Sequence, residues 1–227
     1  MKTRWAVLFF LLALTIAMPA TAKKPVMVDS LAATVDNETI TIEDIEVEKE
    51  ILRRTKIWFS FAEPPAQVTD KHAFREVISR KLLYIQARKM GFADVPPEAV
   101  ENAVAQFRKT FAGTQDYRSW LEKYEYRDPS MKQEAKDLAR YRLIAKRFYR
   151  RLVIGNYLRK KIDVQVKLGL NGYIEEHGAD LRRETPGASE EELHEVARQT
   201  LYFERLSEHI AELQDRSNVV IIRDRYL

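Results

Sequence analysis

The chain has 227 residues, no cysteine and a formal net charge of +4, with 38 Lys and Arg against 34 Asp and Glu. Without cysteine, disulfide stapling, thiol chemistry and a lipid anchor on an N-terminal cysteine are all excluded. The basic balance raises nucleic acid as a partner, but the charges are finely mixed rather than gathered into one block, so none is expected.

In chain order, Lys2 and Arg4 precede an apolar run from Trp5 to Met18, and Ala20-Thr21-Ala22 follows. This is the layout of a secretory signal peptide, and the run is shorter than the roughly 20 residues a spanning helix needs. Removing residues 1–22 from 227 leaves 205, which fall to a net charge of +2. An uncleaved anchor is the rival reading. No later segment is apolar enough to span a bilayer, so no stable membrane span is expected after cleavage. A chain of this length can bury a full core as one domain, residues 23–227.

Residues 31–42, LAATVDNETITI, predict a strand, a turn at Asp36-Asn37 and a second extended piece. Thr41 with Asp44 three residues on is close to a capping box, and predicts a helix to about Trp58. After Pro64-Pro65, Thr69-Asp70 opens a second helix. Arg88-Lys89 and Gly91 mark its end, where Phe92 can fold back. Pro96-Pro97-Glu98 starts a third helix with an apolar stripe of Val100, Val104, Phe107 and Phe111. Gly113 closes it, and Tyr117, Trp120, Leu121 and Tyr124 mark a short fourth.

Asp128-Pro129 is the expected cap of the longest segment, with Leu138, Tyr141, Ala145, Phe148 and Leu152 on one face. A kink is expected at Gly155-Asn156, and IDVQV (162–166) reads as extended. LGLNGYIEEHG has no clear assignment, because Gly169 and Gly172 weaken a helix. Ser189 with Glu192 forms a capping box for a helix to about Arg216. VVII (219–222) then reads as a short buried strand. A strand near each end, with helices between, predicts a mainly α fold whose two ends share one small sheet.

The sequence offers no catalytic site. His72, His177, His194 and His209 belong to no zinc motif, and Glu191 with His194 is a single Glu-x-x-His pair where a di-iron bundle needs two. There is no glycine-rich phosphate cradle and no G-x-S-x-G elbow. No cofactor and no metal are expected. The basic stretches KRFYRR (146–151) and LRKK (158–161) are expected on a solvated helix face.

What the sequence does offer is aromatic surface. Trp58, Phe59, Phe61, Phe107, Phe111, Trp120 and Tyr124 are the candidate peptide-binding residues, since large apolar patches on exported proteins mark partners. The same residues could equally be core. For Phe107 and Phe111 the regular stripe favours core, and for the group at 58–61 both readings stay open.

Four stretches together resemble the periplasmic chaperones of the SurA, PpiD and PrsA type: LAATVDNETITIEDIE (31–46), FREVISRKLLYIQARKMGF (74–92), YLRKKIDVQV (157–166) and ARQTLYFERLSEHIAELQDRSNVVII (197–222). The resemblance implies a multi-helical chaperone lobe built from both ends of the chain: residues 31–165 as its N-terminal part and 189–227 as the closing helix and strand. It also implies a periplasmic location and unfolded or nascent exported proteins, outer-membrane protein precursors among them, as clients held without ATP. Relatives carry parvulin-type prolyl isomerase domains before the closing helix. Here that region is only HGADLRRETPGAS (177–189), too short for a domain. A holding activity without isomerase is therefore expected. A prolyl isomerase with an unrecognised site and a dedicated envelope adaptor are the alternatives.

Overall fold

The computed structural model describes residues 30–57, 59, 65–123 and 132–223. The expected signal segment lies outside them, as do Trp58, Phe61, Tyr124 and the expected cap at Asp128-Pro129. The described chain is mainly helical, with one three-stranded antiparallel sheet. In order come β1 (Leu31–Val35), β2 (Glu38–Thr41), α1 (Ile42–Thr55), α2 (Asp70–Lys89), α3 (Pro97–Arg108), α4 (Thr114–Glu122), α5 (Gln133–Glu184), α6 (Glu190–Arg216) and β3 (Val219–Ile221).

β1 and β2 form the expected hairpin. Asp36 turns it in the left-handed region at φ 51°, a conformation Asp tolerates better than most residues. The same residue fastens the far end of the chain. Its N–H donates to the Asn218 carbonyl at 2.8 Å, and its carboxylate accepts the Asn218 N–H at 2.9 Å. β3 then pairs with β1, Val35 opposite Val219 and Ala33 opposite Ile221, which makes β1 the central strand. Ala32, Ala33 and Val35 are fully buried, while β3 is only half-buried, with Val220 exposed.

The helix ends follow from local chemistry. Thr41 and Asp44 make reciprocal capping bonds at 3.1 Å, and Ser189 with Glu192 repeats the device on α6. At the end of α2, Gly91 sits at φ 83°. The Phe92 N–H returns to the Ala87 carbonyl at 2.9 Å and the Gly91 N–H to Arg88 at 3.1 Å, a Schellman ending. Phe92 folds back as expected, its ring 5.6 Å from that of Tyr157. α1 stops three residues short of Trp58, because Lys56 takes the left-handed region at φ 52° and closes the helix.

The largest departure concerns α5. It runs unbroken for 52 residues, through the glycines, through Gly155-Asn156 and through 162–166, which were expected to be extended. At a rise of 1.5 Å per residue it is about 78 Å long. Ile154, Leu158, Ile162 and Val166 recur every four residues and are all buried. Burial on that face outweighs the strand preference of the β-branched pair and the roughly 1 kcal/mol helix cost of each glycine. Leu138 and Tyr141, expected on the packed face, are exposed; the buried seam of that first stretch runs through Arg140, Ile144 and Phe148 instead.

Three cores result. The main one joins β1, β2, α1, α2, the middle of α5 and α6. A second joins α1, α3, α4 and the start of α5. The third, centred on Leu181, Leu193 and Ala197, draws on α5, α6 and their turn alone, so this end of the helical hairpin stands clear of the lobe.

Within the α5–α6 seam, the Tyr157 hydroxyl meets His209 Nε2 at 2.6 Å. Burial holds the His209 pKa below its usual value, helped by Lys161 and Arg216 and opposed by Glu212. The unfolded chain therefore takes up a proton near pH 6.5 that the folded chain refuses until lower pH. Stability is full above that value and falls as pH drops toward the folded pKa. Urea unfolding between pH 7 and 5.5 is expected to show this decline, and His209→Gln to flatten it.

Candidate functional site

The structure gathers three of the sequence candidates, but as core. Phe107 is only 2 % exposed. Its ring lies 5.3 Å from Phe111, 5.5 Å from Trp120, 6.4 Å from Tyr117 and 5.3 Å from Phe148. Phe111 and Trp120 are buried beside it. The Arg54 guanidinium covers the Phe111 ring at 3.7 Å and donates to the Thr110 carbonyl, closing the cluster from the α1 side. These three side chains fill the space between α3, α4 and α5 and do not line an open groove. Val100, Val104 and Phe107 lie on α3 as expected, but the helix ends at Arg108 rather than at Gly113, so Phe111 packs from the turn beyond it, and α4 covers the cluster.

Phe59 also faces inward. It is half-buried against the main core, its N–H donates to Glu76 Oε1 at 2.8 Å, and the Arg80 guanidinium stands 4.8 Å from its ring. Arg80 further donates to the Ile57 carbonyl at 3.1 Å. The described edge of the aromatic loop is thus tied down onto α2.

Those ties belong to a charged network that sequence reasoning placed on a solvated face. Between α1, α2 and α5, Glu76 is fully buried and Glu48 and Arg80 nearly so. Arg80 Nε reaches Glu76 at 2.9 Å and Glu48 at 3.4 Å. Arg151 Nη2 reaches the same Glu48 oxygen at 2.6 Å, Arg147 pairs with Asp44 at 2.8 Å, and Lys81 with Glu38 at 2.9 Å. So Arg147, Arg150 and Arg151 of KRFYRR are turned into the protein, whereas Arg159, Lys160 and Lys161 of LRKK are exposed as expected. The signal was available. Residues 140, 144, 147, 151, 154 and 158 keep the 4-3-4-3-4 spacing of a packed seam, and three of them are arginine.

Two carboxylates of the network, Glu38 and Asp44, titrate lower than usual. For Glu38 the first cause is its bond from Lys81. For Asp44, burial pushes upward and is overcome by Arg147 and the capping bond to Thr41.

Among the described residues, the exposed large apolar side chains are Ile57, Met90, Val220, Ile222 and four along α5. Leu168 is 81 % exposed and Val164, one turn earlier on the same face, 47 %. Leu138 and Tyr141 form a second exposed pair near its start. Glu191 and His194 are both exposed. Among the described residues no group of His, Cys, Asp and Glu could hold a metal ion, and no helix is long and apolar enough to cross a membrane.

Fold and surface together define a mainly helical protein whose two ends share a sheet and whose longest helix carries bare apolar side chains. Comparison with family models, with curated proteins and with solved structures finds no match.

Proposed function

We propose that the protein is an ATP-independent holding chaperone of the periplasm, binding unfolded or nascent exported chains, outer-membrane precursors among them. One observation carries this reading: the Val164/Leu168 face of α5, apolar, exposed and mounted on a long helix anchored in the lobe. Unfolded clients present aliphatic and aromatic residues at intervals, and several weak contacts along such a helix hold a chain while letting it leave. The signal-like N-terminus and the resemblance of the hairpin, second helix and closing segment to the SurA type support the same reading. The buried state of Phe107, Phe111 and Trp120 moves the expected contact surface from the third and fourth helices to α5.

The test is aggregation of a urea-unfolded outer-membrane protein diluted into buffer without ATP. Suppression at several-fold molar excess of the protein is expected. The double variant Val164→Ser/Leu168→Ser should weaken capture about tenfold, the scale of one lost leucine burial, with its thermal midpoint within about 1 °C of the parent because both residues are exposed. Failure to suppress would sink the proposal. A pull-down returning one stoichiometric protein would favour a dedicated adaptor, and turnover of a proline peptide would favour an isomerase.

A further inference from the structure

We propose that the recess between α1, α2 and α5 binds a small oxyanion of the phosphate or sulfate kind. The first ground is hydrogen-bond supply. Single carboxylate oxygens are shared: one oxygen of Glu48 serves both Arg80 and Arg151, and one oxygen of Glu38 serves Lys81 at 2.9 Å and Arg150 at 3.6 Å. One oxygen of Glu76 serves both Arg80 and the Phe59 N–H. Donors, by contrast, are left over. Arg80 Nη1 and the Nε atoms of Arg147, Arg150 and Arg151 are buried and have no hydrogen-bond partner among the described residues. The Arg80 side chain is 9 % exposed. A buried donor without an acceptor is costly, so something that only accepts is called for.

The second ground is charge. Among the described residues, the four carboxylates of Glu38, Asp44, Glu48 and Glu76 face five cations, Arg80, Lys81, Arg147, Arg150 and Arg151, an excess of one positive charge. Burial together with the neighbouring Arg80 holds Arg151 down to about 9, and burial with Arg150 lowers Lys81. Water in the recess would bring a donor with every acceptor and leave the charge as it is. An oxyanion supplies acceptors only and neutralises the surplus.

The third ground is space. The recess holds about 50 Å³ and is lined by Val77 and Ile154, by Asp44 and Glu48 and by the five cations, on a measure by which one water needs about 10–15 Å³. One small tetrahedral anion fits that scale.

The experiment is thermal unfolding of the purified protein in inorganic phosphate, with ionic strength held constant by sodium chloride. The midpoint is expected to rise saturably, by about 3 °C once phosphate reaches ten times its dissociation constant. Arg150→Gln should abolish the rise and Arg150→Lys keep part of it. Arg150 is chosen because its ion pair, at 3.6 Å, is the longest in the network, so its loss strands no close partner. Calorimetric titration of the unaltered protein with phosphate, expected to show one site, needs no variant to fold. Sedimentation with phosphatidylglycerol vesicles separates the sources: retention displaced by phosphate points to a lipid headgroup, and a midpoint shift without retention to the free anion. No saturable shift and no calorimetric site, or an equal shift in Arg150→Gln, would overturn the proposal. Either result is independent of client capture by α5.

Discussion

Glu76→Ala is expected to destabilise the protein by about 3–5 kcal/mol, the range for removing one partner of a buried ion pair. The side chain is fully buried, and the loss acts at two places at once. Arg80, nearly as buried, would keep as its only ion pair the 3.4 Å contact to Glu48, an oxygen already engaged by Arg151, beside its bond to the Ile57 carbonyl. The Phe59 N–H would lose its acceptor, releasing the end of the loop that follows α1. Urea unfolding followed by far-UV circular dichroism measures the first effect, and limited proteolysis near residue 59 the second. Glu76→Gln keeps an acceptor for Phe59 and should spare the loop while still losing stability. A change below about 1 kcal/mol in Glu76→Ala would mean that the network is solvated and carries little.

The second large effect is expected from Phe107→Ala, at about 3–5 kcal/mol. Phe107 is the hub of its cluster, with four aromatic rings within 6.4 Å. Truncation removes a buried ring and leaves a cavity whose walls, from α3, α4 and α5, cannot all collapse inward together. Near-UV circular dichroism should lose intensity, since Trp120 and Tyr117 sit against the missing ring. If instead stability held and client capture fell, Phe107 would be a contact residue and the binding surface would return to the third helix.

How far the sequence could be read depends on the range of the interaction concerned. The hairpin turn at Asp36, the caps at Thr41 and Ser189, the Gly91 ending and the pairing of the terminal strands were all legible. Each rests on a few adjacent residues or on alternation within one strand. The continuity of α5 was not legible from 162–166 alone. Ile-Asp-Val-Gln-Val alternates like a strand, and only the partner face of α6 makes the four-residue spacing from Ile154 to Val166 decide. The candidate site failed for the same reason. A stripe such as Val100, Val104, Phe107 and Phe111 states that one face is apolar, but not whether another helix or solvent meets it. The arginines at 147 and 151 were misplaced because charge was taken as a sign of exposure, when their position in the seam, opposite Glu48 and Asp44, matters more.

The sheet has a further consequence for the order in which the fold can form. Asp36 and Asn218, which bond each other directly, stand 182 positions apart, so all the chain between them must be made before the third strand arrives. Until then the hairpin exists as two strands, a unit marginal by itself, with the backbone edge of β1 bare. Such an edge invites pairing with any neighbouring extended chain. Contacts this distant also slow folding, because the intervening loop must close before they form. A nascent chain halted before Val219 would carry every described helix and still present an unsealed edge, which makes the three residues of β3 the guard against its own misassociation.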